Sequence, residues 1–194
     1  MKRNLVVIAC STGGPKALQK VIPLLPKELD ATVLIVQHMP SGFTKSLASR
    51  LNDLSEITVK EADENMVVEK KCCYLAKGGN QMRVKQKQKN KYVLALSDEP
   101  AKHGLRPCAD VLFESLIQTD YDKIVCAVLT GMGDDSLIGI SKLRQHKQTY
   151  VITQDAETST IYGMPKAIVQ AGYSDQVVPL HKVAEVIIEN LEVH

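Results

Sequence analysis

Short runs of uninterrupted apolar residues alternate along the chain with longer stretches in which apolar residues recur every three or four positions. The runs Leu5–Cys10, Thr32–His38, Lys123–Thr130 and Thr149–Thr153, with a shorter one at Gln176–Pro179, are rich in Val, Ile and Leu and predict buried strands. Between and after them, Pro15–Leu25, Thr44–Leu54, Arg106–Gln118, Ser136–His146, Pro165–Ala171 and His181–Leu191 carry helical spacing, with Pro107 suited to a first helical turn. Near-continuous apolar strands separated by helices predict a mostly parallel sheet covered on both faces, a three-layer α/β/α doubly wound domain. Residues 57–100 break the pattern. Cys72–Ala76, Gln81–Lys85 and Tyr92–Leu96 read as β segments around a lysine-rich turn, Lys85 to Lys91, and the stretch is assigned as a β-hairpin insertion. The lysines there are read as a solvated tip whose charges discourage edge pairing, in preference to a docking patch for an acidic partner.

Composition narrows the field without choosing a function. A length of 194 residues predicts one domain, and 44% hydrophobic with 24% charged residues is ordinary globular usage. Lys and Arg number 24 against 22 Asp and Glu, a net charge of +2, so no nucleic-acid or membrane partner is nominated by charge. Aromatics at 4% with no Trp leave no stacking surface for single-stranded nucleic acid. The five cysteines (Cys10, Cys72, Cys73, Cys108, Cys126) are odd in number and lack C-x-x-C spacing, which fits a reducing cytoplasm and neither a disulfide framework nor a zinc site. No cofactor and no metal is expected. No apolar run approaches the roughly 18 residues of a membrane span. Lys2-Arg3 before Leu5–Cys10 has the outline of a lipoprotein leader, but the apolar run falls short of the roughly 7–15 residues of such a region and is needed as a strand.

Doubly wound sheets bind ligands beyond the carboxyl ends of their strands, so chemistry is sought in the residues just after each strand. Ser11 in Ala9-Cys10-Ser11-Thr12-Gly13 comes directly after the first run, His38 ends the second, and Asp134-Asp135 come after Gly131-Met132-Gly133 at the end of Lys123–Thr130. A hydroxyl, an imidazole and a carboxylate on neighbouring strand ends are the parts of a nucleophilic hydrolase. The first segment has the small-x-Ser-x-Gly shape of a strand-to-helix nucleophile turn, whose N–H groups are placed to stabilise an oxyanion. Alternatives stand beside each assignment. Ser11 and Thr12 also suit a cap for the helix at Pro15, His38 a structural histidine with His103 as reserve base, and the aspartate pair a helix N-terminus. The two aspartates are not separable at this level. A rival class, nucleotide binding at the glycines with Asp155 as a ribose acid, is weakened by the missing Gly-Lys-Ser/Thr and by two carboxylates where a pyrophosphate would lie.

Taken together, Ser11-Thr12-Gly13-Gly14-Pro15, Gln37-His38-Met39-Pro40 with Gly42-Phe43-Thr44, and Leu129-Thr130-Gly131-Met132-Gly133-x-Asp135 carry a resemblance that spans almost the whole chain. Further matches are Tyr74-Leu75-Ala76, Arg106-Pro107 with Asp110-Val111-Leu112-Phe113, and Tyr162-Gly163-Met164-Pro165. The chain resembles the catalytic domain of the chemotaxis protein-glutamate methylesterases, the CheB family. The resemblance implies hydrolysis of glutamyl methyl esters, and in some members deamidation of glutamines, on the methylated cytoplasmic region of chemoreceptors. It implies Ser11 as nucleophile, His38 as base and Asp135 as third triad member, with Thr12, Gly13 and Met132 in the substrate and oxyanion vicinity. It also implies a sheet in which the first strand lies between the second and the Lys123–Thr130 strand. Departures are Ala9-Cys10 where Gly and Ala are usual, Lys77 and Gln81 where Pro and His are usual, and Ser136 where Gly usually comes after the aspartate. Members often carry an N-terminal receiver domain. Residues 1–194 are expected to be a single catalytic domain without one, a cytoplasmic monomer with no membrane insertion. The alternatives are a catalytically idle receptor-binding homologue and a nucleotide-binding module.

Overall fold

In the computed structural model, which describes residues 3–192, the chain begins with β1 (Asn4–Cys10), α1 (Gly14–Val21), β2 (Ala31–Gln37), α2 (Thr44–Leu54), β3 (Thr58–Glu61) and β4 (Cys72–Leu75). It continues through β5 (Gln81–Gln88), β6 (Lys91–Ser97), α3 (Ala109–Ser115), β7 (Lys123–Val128) and α4 (Leu137–Arg144). It closes with β8 (Gln148–Gln154), α5 (Met164–Gln170), β9 (Gln176–Val178) and α6 (Val183–Glu192). Lys2 and His194 lie outside the described residues. Seven strands form one sheet in the order β3-β4-β2-β1-β7-β8-β9, and every pairing in it is parallel. β1 sits where the order reverses, between β2 and β7, as the resemblance implied.

β1 and β2 are buried along their whole length, and alternate side chains serve opposite layers. Val6 and Ile8 face α1, α2 and α6, while Leu5, Val7 and Ala9 face α3, α4 and α5. That two-sided burial is why the central strands read as unbroken apolar runs. The three-layer expectation holds, and no described helix is long and apolar enough to cross a membrane.

The middle third needs correction. β4 does not belong to the hairpin insertion: it pairs with β2 and with β3, an edge strand absent from the sequence-based assignment. No helix forms the crossover between β3 and β4. In its place the segment around Val67 bonds to β6, with Leu94 donating to the Met66 carbonyl at 2.8 Å and Val68 to the Tyr92 carbonyl at 3.0 Å. Only β5 and β6 make the antiparallel hairpin, whose Met82, Val84, Tyr92 and Leu94 pack onto the α3 side of the core.

The hairpin tip lies at the amino ends of the sheet strands. Arg3, immediately before β1, donates to the Asn90 carbonyl at 2.7 Å, and the Asp120 N–H, just before β7, donates to Tyr92 Oη at 2.8 Å. With about 3.3 Å per strand residue, the length of β1 separates the lysine turn from the carboxyl ends by roughly 20 Å.

Candidate active site

Ser11 leaves the end of β1 in a turn closed by the Gly14 N–H, which donates to the Ser11 carbonyl at 2.8 Å. Gly13, at φ +82°, makes that reversal, which a residue with a Cβ would enter only at a cost. It also occupies the cap position of α1, which receives no side-chain capping hydrogen bond. Ser11 and Thr12 therefore do not cap the helix, and the capping alternative is set aside. The Ser11 N–H is spent on the Thr130 carbonyl at 3.0 Å, lashing this turn to the end of β7. Gly131 permits this closeness, since a Cβ there would lie 2.8 Å from Ser11 Cβ and 2.4 Å from Met164 Sδ.

His38 lies just after β2, and its N–H donates to the Cys10 carbonyl at 3.1 Å, which sets it beside Ser11. Its ring Nε2 lies 2.6 Å from Asp135 Oδ2, with side chains only 9% and 3% exposed. The two aspartates thus separate. Asp134 is exposed, whereas Asp135 is buried against His38 and against the start of α3. Asp135 accepts N–H donors from Ala109 at 2.7 Å, Asp110 at 3.0 Å and Ser136 at 2.9 Å, and the Cys108 thiol at 3.2 Å. The helix-terminus reading was half right, for the helix served is α3 and not α4, the next element after Asp135 in sequence. This also corrects α3, which begins at Ala109 and not at Arg106. Asp135 supplies the acceptor for its first N–H groups, and Cys108 is still extended.

Burial pushes the Asp135 carboxyl up, but the hydrogen bonds from His38 and from the Ala109 and Asp110 N–H groups outweigh it and hold the group below the usual aspartate range. An ionised Asp135 at Nε2 fixes the proton on that nitrogen and leaves Nδ1 as the basic lone pair. Among the described residues no hydrogen bond joins Ser11 Oγ to His38. Both line one cleft of about 340 Å3, together with Met132, Leu105 and His103, and the serine–base contact in such sites often tightens only with substrate. The N–H groups of Thr12, Gly13 and Met132 have no acceptor within the described protein and border the same turn pair.

Three neighbours carry the geometry and had no assigned role in the sequence. Gln37, almost fully buried, donates from Nε2 to the Ser11 carbonyl at 2.9 Å and the His38 carbonyl at 3.1 Å, and its Oε1 accepts the Cys10 thiol at 3.0 Å. Asp110 Oδ1 accepts the N–H groups of Ser136 at 3.1 Å and Gly139 at 2.6 Å. Gln81 joins the Leu105 carbonyl and the Cys108 N–H, both at 2.8 Å, and so holds the segment that leads into α3. Their signal was the presence of uncharged or acidic polar residues inside apolar runs, which burial obliges to find partners.

Cys108, Asp110 and Asp135 bring candidate metal ligands within 4.8 Å of one another. Their oxygens already face backbone N–H dipoles, the wrong polarity for a cation, and burial pushes the Cys108 thiol up to about 12, away from the thiolate a metal would need. The nucleotide alternative also loses its parts: the Gly131 N–H donates to the Ile161 carbonyl at 3.0 Å, and Asp155 Oδ1 accepts from Thr158 N and Oγ1 in a local turn.

A family model described as CheB methylesterase matches residues 6–187. A protein-glutamate methylesterase/protein-glutamine glutaminase of Syntrophomonas wolfei is 43% identical over 191 residues, 97% of this chain and 54% of that protein. One of Bacillus subtilis is 45% identical over 184 residues, 94% of this chain and 51% of the relative. The chain thus spans about half the length of the curated relatives it matches. The crystal structure of the Thermotoga maritima CheB methylesterase catalytic domain superposes with a TM-score of 0.93 at 39% identity, covering 98% of this chain and 100% of that one. The chain belongs to the CheB methylesterase family.

Proposed function

We propose that this chain is a serine hydrolase that demethylates glutamyl γ-methyl esters on the methylated cytoplasmic region of chemoreceptors, and that it also deamidates glutamine side chains there. The observation that carries the reading is the buried 2.6 Å pairing of His38 with Asp135 beside Ser11 in one cleft. In this reading His38 Nδ1 takes the Ser11 hydroxyl proton as Oγ attacks the ester carbonyl carbon, forming the C–Oγ bond. The N–H groups of Thr12, Gly13 and Met132 receive the developing oxyanion, a role open to them because no acceptor among the described residues competes. The imidazolium, steadied by Asp135, returns the proton to the departing methoxide, and methanol leaves. Water, deprotonated by the same Nδ1, then attacks the acyl-serine, and collapse frees the glutamate carboxyl and Ser11. With an amide substrate the leaving group is ammonia and the steps are otherwise the same.

The reading includes a single catalytic domain working in the cytoplasm as a monomer. Methanol release from a methylated receptor fragment tests it, with Ser11→Ala as the control. Release abolished by Ser11→Ala supports the hydrolase. A fragment that binds but yields no Ser11-dependent methanol would make the chain an idle receptor-binding homologue.

A further inference from the structure

A second imidazole lines the cleft that holds Ser11 and His38, and it belongs to His103. Lys102 and Leu105 exchange both backbone hydrogen bonds, at 3.1 and 2.9 Å, leaving His103 and Gly104 as a two-residue turn with φ of +54° and +76°. Positive φ at both central positions is the geometry in which Asn-Gly is favoured, so a bulky ring there is costly to the turn. The turn is braced on several sides. Lys102 Nζ meets Glu114 Oε1 on α3 at 3.0 Å, Gln81 holds the Leu105 carbonyl, and the Arg106 guanidinium donates to the carbonyls of Asp98 and Glu99. A rigid turn thus presents an exposed imidazole whose nitrogens make no hydrogen bond among the described residues. His38, by contrast, has one nitrogen engaged by Asp135.

The turn also borders two clefts. The larger holds Ser11 and His103, and a smaller one of about 250 Å3 is lined by Pro40, Gly104 and Arg106, with His38 and Leu105 common to both. A polypeptide whose side chain enters the larger cleft and whose backbone extends toward the smaller one runs alongside this turn, which lends His103 to the first and Gly104 to the second. Asp110, Asp134 and Asp135 all line the larger cleft, so an anionic side chain would be repelled there, while a neutral carbonyl would not. The side chains of Leu105, Met132 and Ile138 on the walls are apolar, and with Ser11 and His38 assigned to the reaction, His103 is the lining side chain left to donate to a main-chain carbonyl.

We propose that His103 is a specificity-determining residue for the reaction proposed above, on which this inference rests: its ring N–H donates to a main-chain carbonyl of the polypeptide that carries the ester. It binds the backbone beside the modified side chain and takes no part in bond making.

The test titrates a synthetic peptide bearing one glutamate γ-methyl ester into the chain carrying Ser11→Ala, with and without His103→Asn. Asn accepts the left-handed conformation, so the turn and fold are kept while the reach of the ring is lost. The expected result is a Kd about tenfold higher with His103→Asn, as for one lost hydrogen bond. An unchanged Kd, or no binding by either form, overturns the inference. With Ser11 intact, His103→Asn should raise KM for the peptide and leave kcat unchanged; a fall in kcat at constant KM would place the ring in the chemistry and overturn it too. The hydrolase reading is judged separately. His103-dependent binding without Ser11-dependent methanol release sinks the hydrolase and leaves this inference standing, and Ser11-dependent release that ignores His103 does the reverse.

Discussion

Asp110 Oδ1 accepts the N–H of Ser136 at 3.1 Å, so one buried carboxylate pins the residue next to the carboxylate partner of His38. Ser136 needs pinning. Its φ is +95°, in the left-handed half of the map, and its hydroxyl is buried with no partner among the described residues. Both features fall on the position where the resemblance implies glycine.

Ser136→Gly is therefore expected to stabilise the fold. Relief of the left-handed backbone is worth about 1 kcal/mol, removal of the orphaned hydroxyl about as much again, and the extra chain entropy of glycine takes back part of that. The net gain of about 1 kcal/mol should raise Tm by about 2–4 °C in a chain of this size. Ser136→Ala separates the causes, because it removes the hydroxyl and keeps the strain. A thermal melt in which Ser136→Gly is no more stable than Ser136→Ala would refute the strain account.

Asp135→Asn removes the charge that fixes the His38 tautomer and should lower kcat by about 10⁴, the cost seen when such a carboxylate is replaced in a triad. It carries a pH signature as well. The folded-state pKa of Asp135 lies below its unfolded value, so its contribution to stability is fully present above the ordinary aspartate range and is lost as pH falls through the lower folded value. Denaturant titrations of the two proteins should therefore differ most at neutral pH and converge in acid. A gap that widens on acidification contradicts the ionised, hydrogen-bonded state assigned to Asp135.

The central sheet and the three strand ends were legible because β1, β2 and β7 are buried on both faces and carry unbroken apolar runs that few other elements produce. β3 was not: as an edge strand it exposes Thr58 and Lys60, and its four residues carry no apolar run. β4 was visible as a strand but placed in the wrong sheet, because its crossover lacks the helix that normally announces a parallel neighbour. Residue types sufficed to nominate Ser11 and His38. They did not separate Asp134 from Asp135, because the difference lies in the N–H groups of α3, some 25 residues earlier in the chain. The same long-range contact explains why Pro107 misled the start of that helix. Gln37 stands in one of the motifs without a role of its own, because its hydrogen bonds run across two strands and leave no local trace.

Gln37 gives the sharpest test of how the proposed nucleophile, Ser11, and base, His38, are held in register. Gln37→Glu keeps the shape and turns the Nε2 donor into an acceptor facing the Ser11 and His38 carbonyls, which loses both bonds and sets oxygen against oxygen. A displacement of about 1 Å between reacting groups costs about 10²-fold in rate. The expected outcome is a kcat reduced by that order, with KM for a small ester such as methyl butyrate little changed, and loss of stability of about 2–4 kcal/mol from the two unsatisfied buried carbonyls. A kcat equal to that of the parent protein would show that the two strand ends hold their register without Gln37.

The lysine turn makes the opposite prediction. Lys85, Lys87, Lys89 and Lys91 are exposed at the amino ends of the sheet strands, and the candidate site lies beyond the carboxyl ends, roughly 20 Å away along β1. At physiological salt that distance exceeds the Debye length of about 8 Å, so the lysines exert little field on the cleft. Replacing Lys85, Lys87 and Lys89 by Gln should leave kcat and KM for methyl butyrate unchanged at about 0.15 M salt, conditions under which a field from the hairpin is screened. What the substitutions remove is charge from the exposed end of the β5–β6 hairpin, and concentration-dependent association by light scattering is the place for their effect to appear. A change in kcat with no change in association would mean that the hairpin communicates with the site through the core it shares with α3, at Met82 and Val84.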